Sequence, residues 1–418
     1  MPQFTSDQKT TLRILPAIAF NFVAYLCIGA PLAILPSYLH LELGIGTVAA
    51  GSLVSLQYFA TFASRHRAGH LSDTVGPRQT VRYSMLACAA SGALLVLAAL
   101  LRHSLWLSLG TLALGRLVLG TGESLSATGA TMWGIGRVGV RHTARVISWN
   151  GVATYSALAI GAPLGVFAAS RVGFAGVGVI ICALALAGFA AATRMAPTAP
   201  FKGEPVSTGR ILKGVVPFGL ALALGGTGLG VITTFITLYF AHLGWQGAAL
   251  CLTVYGSTFV GTRLLFTRTI SRFGGYSVAI VSFAVEAGGL LLLGLSHSQT
   301  LAYVGCGLAG TGFSLIFPAL GVEAANIFPT SVRGSVIGLY SAFVDLSLFL
   351  AGPLAGAVIN GFGYSRLFVG TAGAVGFALA GTVWLARTFR VRTAASAQAG
   401  RQTQTRSHGV SGSIRPRP

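Results

Sequence analysis

Apolar residues along this chain fall into twelve runs, separated by short polar breaks. Each run is roughly twenty residues long, the length of helix that crosses the apolar core of a bilayer. The pattern predicts spans at 14–36, 47–64, 79–101, 105–128, 146–169, 173–193, 214–240, 247–266, 277–296, 300–325, 335–359 and 364–387. The longest internal break, 194–213, is rich in Pro, Lys, Arg, Ser and Gly and divides the spans six and six. The expected organisation is therefore a bundle over 1–193, a linker over 194–213 and a second bundle over 214–392. Residues 393–418 are Ser, Gln, Thr, Arg and Gly with little apolar content, so a disordered tail is expected there. The first apolar run already has span length, so no cleavable signal is expected at the N-terminus.

Charge sharpens this picture. Of the 28 Lys and Arg residues, all but Arg102, Arg116, Arg171 and Arg366 fall at the termini or in every second loop. Basic residues are retained on the cytoplasmic side during insertion, so both termini are expected on the cytoplasmic side of the membrane. Hydrophobic residues make up 53% and charged residues 9% of the 418 residues. A soluble domain carries about 25% charged residues, so this chain has too little polar surface to stay dispersed in water. The net charge of +20 lies in short loops and a tail. Anionic lipid headgroups explain it better than nucleic acid, for which no basic folded module is visible. Cys27, Cys88, Cys182, Cys251 and Cys306 all fall inside apolar runs without metal-type spacing, and are expected as small buried residues. No metal or cofactor is expected.

The halves echo each other. Gly120-Thr121-Gly122 in span four recurs as Gly310-Thr311-Gly312 in span ten, and Pro163-Leu164 in span five as Pro353-Leu354 in span eleven, both at an offset of 190. A fainter match joins Gln57–Arg65 in span two to Tyr255–Arg263 in span eight, at an offset of 198. Each match links span n to span n+6. The fold expected is an all-α membrane protein with twelve transmembrane helices in two pseudo-symmetric six-helix bundles. Two repeats around a midplane cavity make an alternating-access carrier.

Four acids fall within spans: Glu123, Glu286, Glu323 and Asp345. An intramembrane acid is a functional candidate by default, because burial favours its protonated form. Arg116 and Glu123, seven residues apart, share a face of span four. An Arg at that depth needs water or a partner. A purely structural reading stays open for each: carbonyls and an acid around Arg116, a hydrogen bond from Asp345 to span two or five, an ion pair of Glu286 with Arg263, and one of Glu323 with Arg333.

The loop after span two reads Gly69-His70-Leu71-Ser72-Asp73-Thr74-Val75-Gly76-Pro77-Arg78. It resembles the signature loop of the major facilitator superfamily, G-x-L-[AS]-D-x-x-G-[RP]-[RK], in residue type, spacing and position. Gly69 would let two helices approach closely and Gly76 would allow the sharp turn. Asp73 is the sole acid in a basic loop, so an ionic partner is expected. The resemblance implies that Gly69, Asp73, Gly76 and Arg78 form a conformational switch, with Asp73 pinning the halves in the outward-open state. The second-half loop has Ser271 where Asp73 would align, so the latch is expected to be one-sided.

The same resemblance implies that the span-four Arg supports proton coupling; with the intramembrane acids, Asp345, Glu123, Arg116 and Glu286 are the coupling candidates. Span eleven lines the cavity in this superfamily, so Asp345 leads; span nine is usually peripheral, which disfavours Glu286. Gly161, Pro163 and Gly165 partly resemble the antiporter-type motif of span five, and Gly352, Pro353 and Gly356 fit its ending better. A packing hinge without directional meaning is the competing reading. The spans that line the cavity in this fold offer Asn21, Tyr25, Gln57, Tyr58, Trp149, Asn150, Tyr155, Thr233, Thr237, Tyr255 and Tyr340 as substrate contacts. Residues 14–390 are similar to the YhhS-type branch of bacterial major facilitators, on stretches such as Ser55–Thr61, Arg145–Gly151 and Phe313–Gly321.

The resemblance implies a secondary transporter, moving a small organic molecule outward against protons; a monomer is expected. Uptake by proton symport and a non-transporting sensor with a carrier fold are the alternatives. An intramembrane enzyme is not expected, since no HExxH or GxSxG motif stands in a span.

Overall fold

The computed structural model describes residues 6–199, 208–266, 268–328 and 333–410. Its long helices follow the twelve apolar runs. They are α1 (Ser6–Leu32), α2 (Thr47–Thr74), α3 (Pro77–Leu100) and α4 (Leu105–Val138). The stretch Thr143–Arg194 is broken at Gly173 (φ 71°) into α5 and α6. The second half holds α7 (Thr208–His242), α8 (Ala248–Leu265), α9 (Gly275–Gly294), α10 (Gln299–Asn326), α11 (Arg333–Phe362) and α12 (Tyr364–Val410). The described connections are short and reverse the chain, so neighbouring helices run antiparallel and the start of α1 and the end of α12 lie on one face.

Two helices differ from expectation in informative ways. Nine other helices or helix pairs, and α1 with its extension, are long and apolar enough to cross a membrane, but α2 is not among them. It runs ten residues past the expected end at 64 and carries Arg65, His66, Arg67, His70 and Asp73 in regular helix. The chain turns only at Gly76 (φ 93°), a conformation open to glycine and strained for other residues. At the other end of the chain, α12 continues to Val410, through residues expected to be disordered. Its Ala, Gln and Arg content favours helix; residues 411–418 lie outside the described residues, as do 200–207 of the expected linker. In α1, Pro31 is followed by a break, and the chain resumes as Leu35–Ser37 and a wider π-type turn over Tyr38–Glu42.

Small residues hold each bundle together, as they do where lipid removes the hydrophobic drive between helices. A side chain on Gly120 (α4) would run into the Gln57 carbonyl of α2, and one on Gly122 would crowd Ala87 and the Ser84 carbonyl of α3. The second half repeats both contacts: Gly310 (α10) faces the Tyr255 carbonyl of α8, and Gly312 the Ser282 carbonyl of α9. Gly161 and Gly165 pack α5 onto Gly29 and Ala30 of α1. The duplicated sequence motifs are thus duplicated helix contacts.

The halves meet along two seams. In the first, α2 and α11 run as a zipper: Thr47 hydrogen-bonds to Asn360 (2.6 Å), Gly356 lies on Val48, Gly352 on Gly51, and Ser55 on the Leu348 carbonyl (3.1 Å). Phe59 and Phe349 follow, with ring centroids 5.2 Å apart. In the second seam, Thr253 of α8 donates to the Ala159 carbonyl of α5 (2.9 Å) and Gly256 packs on Ala159. Both seams lie toward the face opposite the termini.

Candidate functional site

Where the seams end, a cavity of about 190 Å³ opens between the halves. Its charged residues are Arg65 (α2), Glu123 (α4), Arg263 (α8) and Asp345 (α11). Tyr25, Tyr58, Asn150, Tyr155 and Thr233 line it, as the family position of their helices implied, beside Thr154, Phe259, Phe313, Phe317 and Ser341.

Arg65 and Asp345 form the innermost rung of the first seam. The guanidinium grips the carboxylate through both Nε and Nη2, the latter 2.8 Å from Oδ1. Such a two-point pair fixes geometry as well as charge. The reading of Asp345 as bonded to span two is therefore met, by a residue that the expected span boundary left outside the membrane. The register did carry a signal, since Arg65 stands seven residues after Tyr58 and so shares its helix face.

Glu123 sits nearby in a cage of donors. Tyr25 donates to Oε1 (2.9 Å), Gln57 Nε2 to Oε2 (2.6 Å), and the Thr61 hydroxyl lies 3.1 Å from Oε2. Arg116 does not join it; its Nη2 donates to the Val54 carbonyl (3.2 Å) and it does not line the cavity.

Several other expected contacts fall elsewhere. Asn21 donates to Thr154 (2.9 Å), behind the cavity wall. Gln57 is occupied by Glu123. Trp149 packs against Ile14, Ile18 and Val146. Tyr340 donates to the Phe317 carbonyl (3.2 Å). Tyr255 borders a separate small cleft, and Thr237 lies outside both.

The expected ion pairs also need correction. Glu286 does not meet Arg263: it is fully buried where α9 packs on α7 and α10, against Gly225 and Gly228, and among the described residues neither carboxylate oxygen has a hydrogen-bond donor. Glu323 accepts the backbone N–H of Gly275 (2.8 Å) and so caps α9; the Arg333 side chain lies outside the described ones. Asp73 is exposed, with no ionic partner among the described residues. Partial burial pushes its carboxyl up from the usual range, against the opposing pull of His70. Gly69 has no close neighbour among the described residues, which do not make the helix approach expected there. Arg78 donates to the Met195 carbonyl (3.2 Å) and ties this loop to the end of α6.

The family profile of the Major Facilitator Superfamily matches residues 17–322 and 218–417. The chain belongs to the Major Facilitator Superfamily. An MFS-type transporter of Burkholderia mallei (strain SAVP1) is 51% identical over 381 residues, covering 91% of this chain and 94% of the relative. One from Pseudomonas aeruginosa (strain LESB58) is 48% identical over 367 residues, covering 88% and 91%. Two solved structures share the fold: a nucleoside transporter (TM-score 0.72, 14% identity) and a human organic anion transporter (TM-score 0.67, 15% identity). Each is covered over 99% of its length by 89% of this chain. This facilitator is thus a multi-pass membrane transporter and not an enzyme.

Proposed function

We propose that the protein is a proton-coupled carrier that exports a small organic molecule by alternating access. The observation that carries this reading is the Arg65–Asp345 pair, placed where the closed seam gives way to the cavity. A proton on Asp345 removes the charge that holds Arg65 across the interface. Breaking one partner of a buried pair leaves an uncompensated charge, so protonation loosens the seam at its inner end. The proton is therefore taken up in the state open to the face opposite the termini, and its release to the termini side re-forms the pair and closes this seam. Glu123, on the same cavity, is the second coupling residue. Arg116 and Glu286, both away from the cavity, support the helices in this scheme.

The basic loops support cytoplasmic termini in a bacterial inner membrane, with 1–193 and 214–392 as the two moving units and 194–213 as their linker. In that orientation the structure is inward-facing. The exposed Asp73 is then an undone latch, engaging when the cytoplasmic ends of the halves close in the outward-open state.

Reconstituted protein under an imposed pH gradient tests the reading. Addition of a transported compound from a panel of organic acids, bases and neutral molecules should release protons to the termini side as the compound leaves it. Compound and proton moving in the same direction would overturn export, and the lack of any compound-dependent proton flux would overturn proton coupling.

A further inference from the structure

The internal repeat makes a second arginine stand out. Arg263 on α8 follows Arg65 on α2 at the 198-residue offset that also joins Gln57 to Tyr255. Their opposite positions are related as well: Asp345 on α11 follows Tyr155 on α5 at the 190-residue offset that joins Pro163 to Pro353. One seam therefore ends in Arg65 against Asp345. The other ends in Arg263 and Tyr155, both against the Phe259 ring on the cavity wall, with no acid in ion-pairing reach among the described residues.

Arg263 is 8% exposed, yet among the described residues no carboxylate lies within ion-pairing distance. Its Nη2 donates to the Ser314 carbonyl (2.9 Å), its Nη1 lies against Gly151 of α5, and its guanidinium lies 5.1 Å from the Phe259 ring centroid. Only one of its five N–H donors has a hydrogen-bond acceptor among the described contacts. A buried cation without a counter-charge is costly. The groups around it are those of a recognition site: Tyr155 stacks on Phe259 with centroids 3.5 Å apart, and Phe313 lines the same wall. Asn150, also on the cavity, has a buried amide oxygen with no donor among the described residues.

We infer that Arg263 binds the anionic group of the substrate, and that the substrate is a small organic carboxylate whose apolar or aromatic body rests on Phe259, Phe313 and Tyr155. The substrate's carboxylate takes the place that Asp345 fills in the other half. This deepens the transport reading and rests on it for the word substrate; binding itself stands apart.

The test uses the full chain in detergent, with benzoate, naphthoate and indole-acetate against the corresponding carboxamides. The carboxylates should raise the melting temperature and the carboxamides should not. Arg263→Gln should weaken carboxylate binding on the order of ten- to a hundredfold, as expected for loss of a charge-assisted contact, with Arg263→Lys keeping part of it. Tyr155→Asp, which writes the acid of the other half into this one, should abolish the response with the fold preserved, even if Arg263→Gln does not fold. Equal response to carboxamides, no response to any carboxylate, or unchanged carboxylate binding in Tyr155→Asp would each overturn the assignment. Proteoliposome flux separates the two readings: carriage of neutral or cationic compounds alone sinks the anion site and leaves transport, whereas carboxylate binding without flux of any compound sinks transport and leaves the site.

Discussion

Arg65 of α2 holds Asp345 of α11 across the boundary between the halves, in two parallel contacts at the inner end of their shared seam. Arg65 keeps 27% of its side chain exposed while Asp345 keeps 6%, so the pair faces the cavity from its arginine side. A proton released from Asp345 passes into the cavity beside Arg65 and not into the seam behind the pair.

Asp345→Asn should therefore remove the pH dependence of transport and lower the melting temperature, because Arg65 loses its partner. Arg65→Gln should also destabilise. Residues in contact couple by about 0.5–3 kcal/mol, so the double variant should melt no lower than the worse single variant. Additive losses in a thermal-denaturation cycle would show that the pair is not a unit.

The α2–α11 seam depends on glycine. A leucine at Gly352 would meet the Gly51 carbonyl and the Ser55 hydroxyl, and backbone cannot step aside as a flexible side chain can. Gly352→Leu should hold the seam apart and increase the rate at which a cysteine introduced at Thr47 reacts with a polar thiol reagent. An unaltered labelling rate would mean that another contact closes this end.

Asp73→Asn should slow turnover and leave stability nearly unchanged. The carboxylate is exposed and unpaired here, and surface changes of that kind usually stay within about 0.5 kcal/mol. Flux and melting curves on the same preparation check both halves of the statement; a large drop in melting temperature would reveal a structural contact in place of a switch.

Glu286→Gln should keep proton coupling, since Glu286 is walled off from the cavity by α7 and α10. Loss of pH-dependent flux with an intact melting transition would move the coupling residue into this core.

Helix number, duplication and the glycine motifs were legible because each is a local signal: apolar length, offset and residue size. The cavity was legible in part, since Tyr25, Tyr58, Asn150, Tyr155, Thr233, Glu123 and Asp345 do reach it. What stayed hidden depends on rotation and partner. Trp149 and Asn150 are adjacent, yet one packs on α1 and the other faces the cavity. Arg65 was hidden by its own charge, which made the end of an apolar run look like the end of a helix. Glu286 and Arg263 lie in neighbouring spans of the chain, but their side chains belong to different packing layers, which no spacing rule reports.

The polarity of α2 governs how this chain is made. A segment carrying Arg65 and its basic neighbours has little reason to leave the ribosome-bound channel for lipid by itself, because its charge gains no counterpart there. The residue that neutralises it is translated 280 positions later. Until then α2 must shelter beside α4, so premature release of the nascent protein anywhere before α11 yields a fragment with an orphan cation, open to the cell's membrane quality control.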